Sequence, residues 1–214
     1  MATIKWLRSK RMQFDQYCVA DAAGRGQLEA IKEMRRSKAR GTDESSRARW
    51  SEEAVKKAAE GGHLEVLQWL RQYGCPWSIW ACSSAARGGH FEVLKWARSQ
   101  NPPGPWDRRT CSQAAGGGHL EILKFARGQD PPCPWNESIC DYAAQLGHLE
   151  VLKWARDQDP PCPWDWRTCR EAARNGHLEV VRWVMLQEDR PSVLDLPDYV
   201  VELLKAEGFF DGEG

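Results

Sequence analysis

Five histidines and eight cysteines are the residues of this 214-residue chain best suited to metal or redox chemistry, and both recur at regular intervals. The histidines are His63, His90, His119, His148 and His177, so the last three steps are 29 residues each and the first is 27. Seven cysteines fall in two columns of the same rhythm, Cys75/Cys133/Cys162 and Cys82/Cys111/Cys140/Cys169. Zinc needs its ligands ~2 Å from one ion, and they are commonly supplied by closely spaced Cys or His pairs. The chain has no Cys-x-x-Cys and no His-x-x-x-His, and residues one repeat apart on stacked helices stand roughly 10 Å from one another. This favours histidines that begin helices, with no metal and no other cofactor expected. The helical cysteine column alternates with Val19 and Val55, which favours buried thiols behaving as small apolar groups; redox chemistry is the alternative. Gly104 replaces cysteine in the other column, so the fold requires no pairing there.

The elements that position these residues follow from the same count. Thirteen residues before each Gly-His or Gly-Gln step stands an aromatic residue, Phe14, Trp50, Trp77, Trp106, Trp135 or Trp164, which defines six units. The next residue is Asp15, Ser51, Ser78, Asp107, Asn136 or Asp165, each able to accept a hydrogen bond from an unpaired first-turn N–H, so each marks a helix start. That first helix runs through an Ala-Ala pair and ends near a glycine suited to a left-handed C-terminal cap, as at Gly62 or Gly147. The second helix begins at the histidine. In unit five Leu149, Val151, Leu152, Trp154 and Ala155 fill a broad apolar face, while Glu150, Lys153 and Arg156 occupy the other side. Proline pairs such as Pro131-Pro132 and Pro160-Pro161 then stop the helix and hold the linker extended.

Two segments depart from the rhythm. Residues 37–49 are polar, with Gly41 and two adjacent serines, and read as a mobile surface loop. After Arg190-Pro191, residues 197–207 predict a helix whose Val200, Val201, Leu203 and Leu204 cover the end of the stack, as terminal caps do in repeat arrays. The expected organisation is one array over 1–214: an incomplete unit at 1–13, six helix pairs over 14–188, and a capping helix and tail over 189–214.

Lys plus Arg and Asp plus Glu both total 30, which leaves no overall field to draw the chain onto nucleic acid or an anionic membrane. No segment approaches the ~18 consecutive apolar residues of a membrane span, and Met1–Lys10 lacks the apolar run of a signal peptide. An intracellular protein, cytoplasmic or nuclear and with reduced thiols, is expected. No glycine-rich phosphate loop, nucleophile elbow or carboxylate pair stands outside the repeating pattern, so the residues do not point to an enzyme.

The segment Ala143-Ala144-Gln145-Leu146-Gly147-His148-Leu149-Glu150-Val151-Leu152-Lys153 closely resembles the inner part of the ankyrin repeat, and its equivalents cover nearly the whole chain. Cys75-Pro76-Trp77-Ser78 aligns with the ankyrin Ala-Asp-Val-Asn segment, and Thr110–Ala115 aligns loosely with Thr-Pro-Leu-His-x-Ala. An ordinary unit has ~33 residues; here the span from Trp106 to His119 lacks about six of those, which would build the hairpin. The resemblance implies an all-α ankyrin-type helix-turn-helix repeat solenoid with shortened or absent β-hairpins, a divergent 29-residue Cys-Pro-Trp form. It also implies a monomeric, non-enzymatic scaffold or adaptor that binds a protein partner on a concave face of first helices.

Recognition is then expected where the columns differ between units, because such positions are not fixed by the repeated packing. These are Ile79, Trp80, Arg108, Arg109, Glu137, Asp141, Trp166, Arg167 and Arg170, and exposed tryptophan and arginine often dominate interface energetics. Two alternatives stand beside this reading. The arginines solvate a helix face, or they contact the phosphates of a nucleic acid, although Glu137, Asp141 and Glu171 interrupt the basic stripe. Trp77, Trp106, Trp135 and Trp164 are either a recognition ladder or plugs beneath a shortened hairpin; the second is preferred for the apolar area they supply. Trp69, Trp96, Phe125, Trp154 and Trp183 belong to the second-helix core.

Overall fold

Helices of eight to eleven residues are marginal alone and depend on neighbours for stability, and the repeat supplies those neighbours. The computed structural model describes residues 16–38, 51–190, 192–206 and 208–209. The incomplete unit expected at 1–13, the aromatic starts Phe14 and Trp50, the cap Asp15, the tail beyond residue 209 and residues 39–49 of the expected loop lie outside the described residues. Ser37 and Lys38 close a helix instead.

Among the described residues there are thirteen α-helices and no strand. Contacts divide the chain into two units, Met1–Trp106 and Asp107–Gly214. The first contains α1 (Gln16–Gly24), α2 (Leu28–Lys38), α3 (Glu52–Glu60), α4 (Leu64–Gln72), α5 (Ile79–Arg87) and α6 (Phe91–Arg98). The second contains α7 (Arg108–Gly116), α8 (Leu120–Arg127), α9 (Ser138–Gln145), α10 (Leu149–Arg156), α11 (Trp166–Arg174), α12 (Leu178–Met185), a short 3₁₀ turn at Val193–Asp195, and α13 (Asp198–Ala206). First helices stack on first helices, α1 on α3 and α3 on α5 in one unit, α7 on α9 and α9 on α11 in the other, and each also packs against its own second helix. The Ala-Ala pair makes this close stacking feasible: Ala58, Ala59, Ala85, Ala86, Ala114, Ala115, Ala143 and Ala144 are all without solvent exposure. In the second helices Val66, Leu67, Leu70, Ile122, Leu123, Val151 and Leu152 form the buried face. The final helix α13 packs on α11, with Val200 and Leu204 buried and Val201 and Leu203 half-buried.

The turn between paired helices is a Schellman closure. The His63 N–H donates to Ala58 O at 2.9 Å and the Gly62 N–H to Ala59 O at 3.2 Å, with Gly62 at φ +72°. The same closure recurs at Gly147, where the His148 N–H donates to Ala143 O at 2.7 Å.

Helix starts differ from expectation. Asp107 and Asp165 accept from the Arg109 and Arg167 N–H groups at 2.9 and 2.8 Å. Ser51 and Ser78 take the extended backbone of a cap without making that side-chain bond, and α9 begins one residue late, leaving Asn136 Oδ1 buried and unbonded. The pattern of residue types thus did not translate into six identical caps.

Arg156 also departs from the solvent-facing side assigned to it. Its side chain is 14% exposed and turns back over the linker, donating to Cys162 O at 2.5 Å with its guanidinium 4.3 Å above the Trp164 ring. Arg127 repeats this on Cys133 O at 2.9 Å and Trp135 at 4.2 Å, and Arg98 on Gly104 O at 2.7 Å and Trp106 at 4.0 Å. On the other side of the linker indole stands the tryptophan of the following second helix, edge-on at 5.5 Å for Trp77–Trp96, 6.0 Å for Trp135–Trp154 and 5.8 Å for Trp164–Trp183. The linker tryptophans are half-buried in these sandwiches.

Candidate partner-binding surface

The histidines and cysteines are committed to architecture. Each described ring bond reaches the carbonyl of the preceding repeat: His63 Nε2 lies 3.0 Å from Gly24 O, His90 2.8 Å from Glu60 O, His148 3.0 Å from Gly116 O and His177 3.1 Å from Gln145 O. The same ring fills the space above the preceding repeat's glycine. A side chain on Gly147 would meet His177 Nδ1 at 2.6 Å, so this position needs glycine for its room as well as for its φ of +77°.

Seven cysteines are buried and Cys18 is exposed, all as free thiols. In the linkers Cys133 Sγ donates to Asp107 O at 3.3 Å and Cys162 Sγ to Asn136 O at 3.4 Å. Burial, with a smaller contribution from Glu52, pushes the Cys75 thiol up to about 12, and burial pushes Cys169 up to about 11. Cys111 and Cys140 are driven upward by hydrogen bonding to the thiols of Cys133 and Cys162, and by burial. Such thiols are poor nucleophiles.

The variable columns lie on the first helices. In the first unit Ile79 opens α5 half-buried, and Trp80 beside it is 42% exposed. In the second unit Arg108 and Arg109 open α7 and are both exposed. Glu137, half-buried just before α9, has Oε1 3.4 Å from Asn136 Nδ2. Asp141 is half-buried between α9 and α11 and accepts from Thr168 Oγ1 at 2.9 Å. Burial raises its carboxyl above the usual range, opposed by the Thr168 bond, with Asp165 raising it further and Arg167 lowering it. Arg167 is exposed, its Nε 3.3 Å from Asp165 Oδ2. Trp166 is half-buried under the Arg170 guanidinium at 4.6 Å, and Arg170 in turn pairs with Glu171 at 2.5 Å. Asp141 and Arg167 thus belong to one charged cluster across α9 and α11, and Trp166 and Arg170 to a stacked pair on α11. The column six residues after each tryptophan is partly internal: Ser83 and Ser112 are buried and bond back to Trp80 O and Arg109 O.

Part of this pattern matches a known sequence family. Residues 55–98 match the family described as ankyrin repeats (many copies). This segment, from within α3 to the end of α6, is similar to ankyrin repeats. Its fold is also similar to the crystal structure of the human ASB11 ankyrin repeat domain, with a TM-score of 0.52 and 16% sequence identity over 82% of this chain and 87% of that one. No curated protein sequence matches the chain. Ankyrin repeats are generally protein–protein interaction modules and generally non-enzymatic. No helix among the described residues is long and apolar enough to cross a membrane.

Two further surface residues escaped the sequence reading. Tyr142 and Leu146, four apart at the end of α9, are 41% and 52% exposed. A signal for them existed in the columns: the equivalents of Tyr142 are Ser84, Gln113 and Glu171, and those of Leu146 are Gly88, Gly117 and Asn175. Both columns vary between repeats, but they lie beside the invariant Ala-Ala and Gly-His steps and read as part of that packing.

Proposed function

We propose that this chain is a non-enzymatic protein-binding module that recognises its partner through variable residues of the first helices. One observation carries the reading. Most recurring alanines and the linker cysteines are buried and the recurring histidines reach carbonyls of the preceding repeat, whereas Trp80, Arg108, Arg109 and Arg167 differ from their column neighbours and are exposed. A surface of this kind, carried on packed helices, loses little conformational freedom on binding. Aromatic and arginine side chains provide large contact area and directional donors.

The experiment is affinity purification with the full chain and with a Trp80→Ala/Trp166→Ala/Arg167→Ala variant. A stoichiometric protein partner retained by the parent and lost by the variant is the expected result; equal retention by both overturns the assignment of these residues. Binding to nucleic acid that collapses steeply with added salt would favour phosphate recognition by the exposed arginines in its place.

A further inference from the structure

The second unit holds two pairs of buried thiols that the binding of a partner on the first-helix surface would not use. Cys111 on α7 hydrogen-bonds to the thiol of Cys133 in the following linker, and Cys140 on α9 to that of Cys162. All four residues are without solvent exposure. The pairs share one geometry: Cys111 Sγ stands 4.0 Å from Cys133 O, and Cys140 Sγ 4.0 Å from Cys162 O. Each linker thiol is also held by a backbone carbonyl, Cys133 by Asp107 O at 3.3 Å and Cys162 by Asn136 O at 3.4 Å. The members of a pair are 22 residues apart, so no closely spaced cysteine motif reveals them. Other repeats lack the second cysteine. Gly104 stands 22 residues after Cys82 and Pro191 22 residues after Cys169, while Cys75 gives its thiol to Ser51 O at 3.6 Å.

Beside each pair lies a guanidinium. Arg127 donates to Cys133 O at 2.9 Å and Arg156 to Cys162 O at 2.5 Å. Arg98 makes the same bond to Gly104 O, where no thiol pair exists, so the arginine serves the linker in general and the second unit adds the thiols to it. Soft thiolates select soft ions such as copper(I), and a closed-shell monovalent ion accepts two of them in a line. Two thiolates sharing such an ion carry one net negative charge, which is costly when buried unless a cation stands close by. One guanidinium offsets it. Zinc at a structural site takes four ligands, and among the described residues no group of three or more His, Cys, Asp or Glu is placed to hold a metal. The two arginines differ in availability. Arg127 has no ion-pair partner among the described residues, whereas Arg156 pairs with Asp189, and Asp141 opposes a negative charge on Cys140.

We infer that Cys111 with Cys133, and Cys140 with Cys162, each hold one copper(I) ion between two thiolates, with Arg127 or Arg156 offsetting the charge, and that the Cys111–Cys133 site is the tighter. Binding is a ligand exchange without electron transfer. Two S–H bonds break, two S–Cu bonds form, both protons leave to water and copper stays monovalent. The ion itself overrides the burial that keeps these thiols protonated, since a coordinated thiol gives up its proton outright. The inference is independent of the protein-binding reading above.

The test is an anaerobic titration of the full chain with copper(I) against a chromophoric copper(I) chelator. It is repeated on Cys133→Ala, Cys162→Ala and Arg127→Gln, with Cys18→Ala and Cys75→Ala as controls. The parent is expected to take two equivalents of unequal affinity. Cys133→Ala loses the tighter and Cys162→Ala the weaker, while both controls keep both. Arg127→Gln weakens the tighter site about tenfold, the scale of an outer-shell change, and leaves the other as it was. Thermal midpoints confirm folding, and Gly104 shows that the linker position accepts a residue without a thiol. X-ray absorption of the loaded parent needs no substitution and should show two sulfur ligands per copper. Failure to retain copper against the chelator, uptake unchanged in both Cys133→Ala and Cys162→Ala, or three or more sulfurs per copper overturns the inference. Loss of an equivalent in Cys18→Ala overturns it in favour of adventitious binding at the exposed thiol. Equal affinity of Arg127→Gln and the parent overturns the assigned charge compensation and with it the ranking of the two sites.

Discussion

Gly147 and Gly176 occupy the same column of the second unit and have nearly the same backbone, φ +77° and φ +76°, but only Gly147 lies beneath a histidine of the next repeat. Alanine at either position incurs left-handed strain of about 1–2 kcal/mol. At Gly147 the new methyl also meets three atoms of the His177 ring, at 2.6, 2.8 and 3.0 Å, and must displace the ring from its bond to Gln145 O. Losing that bond adds about 0.5–1.5 kcal/mol. At Gly176 nothing lies within 4 Å, so no second cost arises. Urea unfolding of the full chain should therefore find Gly147→Ala more destabilising than Gly176→Ala by about 1 kcal/mol. In a His177→Ala background the extra cost at Gly147 should vanish, giving a coupling energy of about that size in the double-mutant cycle. Equal costs for the two glycine variants, or no coupling to His177, would refute the claim that the histidine locks adjacent repeats.

Three further outcomes are expected. The raised carboxyl of Asp141 means that the folded state holds its proton more tightly than the unfolded chain, so its favourable contribution is present at low pH and lost as pH rises through the folded value. Asp141→Asn, which keeps an acceptor for Thr168, should be more stable than the parent at neutral pH, with the difference closing on acidification; thermal midpoints across pH would expose the opposite trend. Arg127→Ala removes both the bond to Cys133 O and the cation above Trp135, and a loss of about 1–3 kcal/mol in denaturant midpoint analysis is expected; an unchanged midpoint would mean that the sandwich is a surface ornament. Alkylation of the native chain followed by intact mass should label Cys18 rapidly and leave the seven buried thiols until denaturant is added. Rapid labelling of Cys111 or Cys140 would contradict their burial.

The sequence made the periodic parts legible because one packing problem is solved repeatedly. The Ala-Ala pair, the glycine turn and the second-helix apolar face each appear in every unit; most of the alanines and the Val and Leu positions of that face are buried, while Ala173, Leu149 and the second-helix aromatics Trp69, Trp96, Phe125, Trp154 and Trp183 are half-buried. Partners across repeats were not legible. Nothing near His148 in the sequence points to Gly116 O, since that contact depends on how far one helix pair is displaced from the next. Arg156 shows a different limit: helical periodicity fixes where its Cβ emerges, but a long side chain can return over the linker to Cys162 O and Trp164. Cap chemistry was only half readable, because residue type permits a cap without securing the bond: Asp107 and Ser78 share an extended backbone, yet only Asp107 closes the cap. For the candidate surface, column variation found Trp80, Arg108 and Arg167 but passed over Tyr142 and Leu146, which stand beside the repeated alanine and glycine steps.

The backward reach of the histidine gives the array a built-in grammar for changing length. At each described joint one repeat brings the ring at its leading side and the repeat before it brings the glycine floor at its trailing side. Duplicating a whole unit creates a matched joint with no new mutation, while a fragment of a unit leaves an empty floor or a ring without its carbonyl. Lengthening by copying is thereby easy and lengthening by small insertions is penalised. Each copied unit would also arrive with its own first-helix surface already exposed and free to diverge.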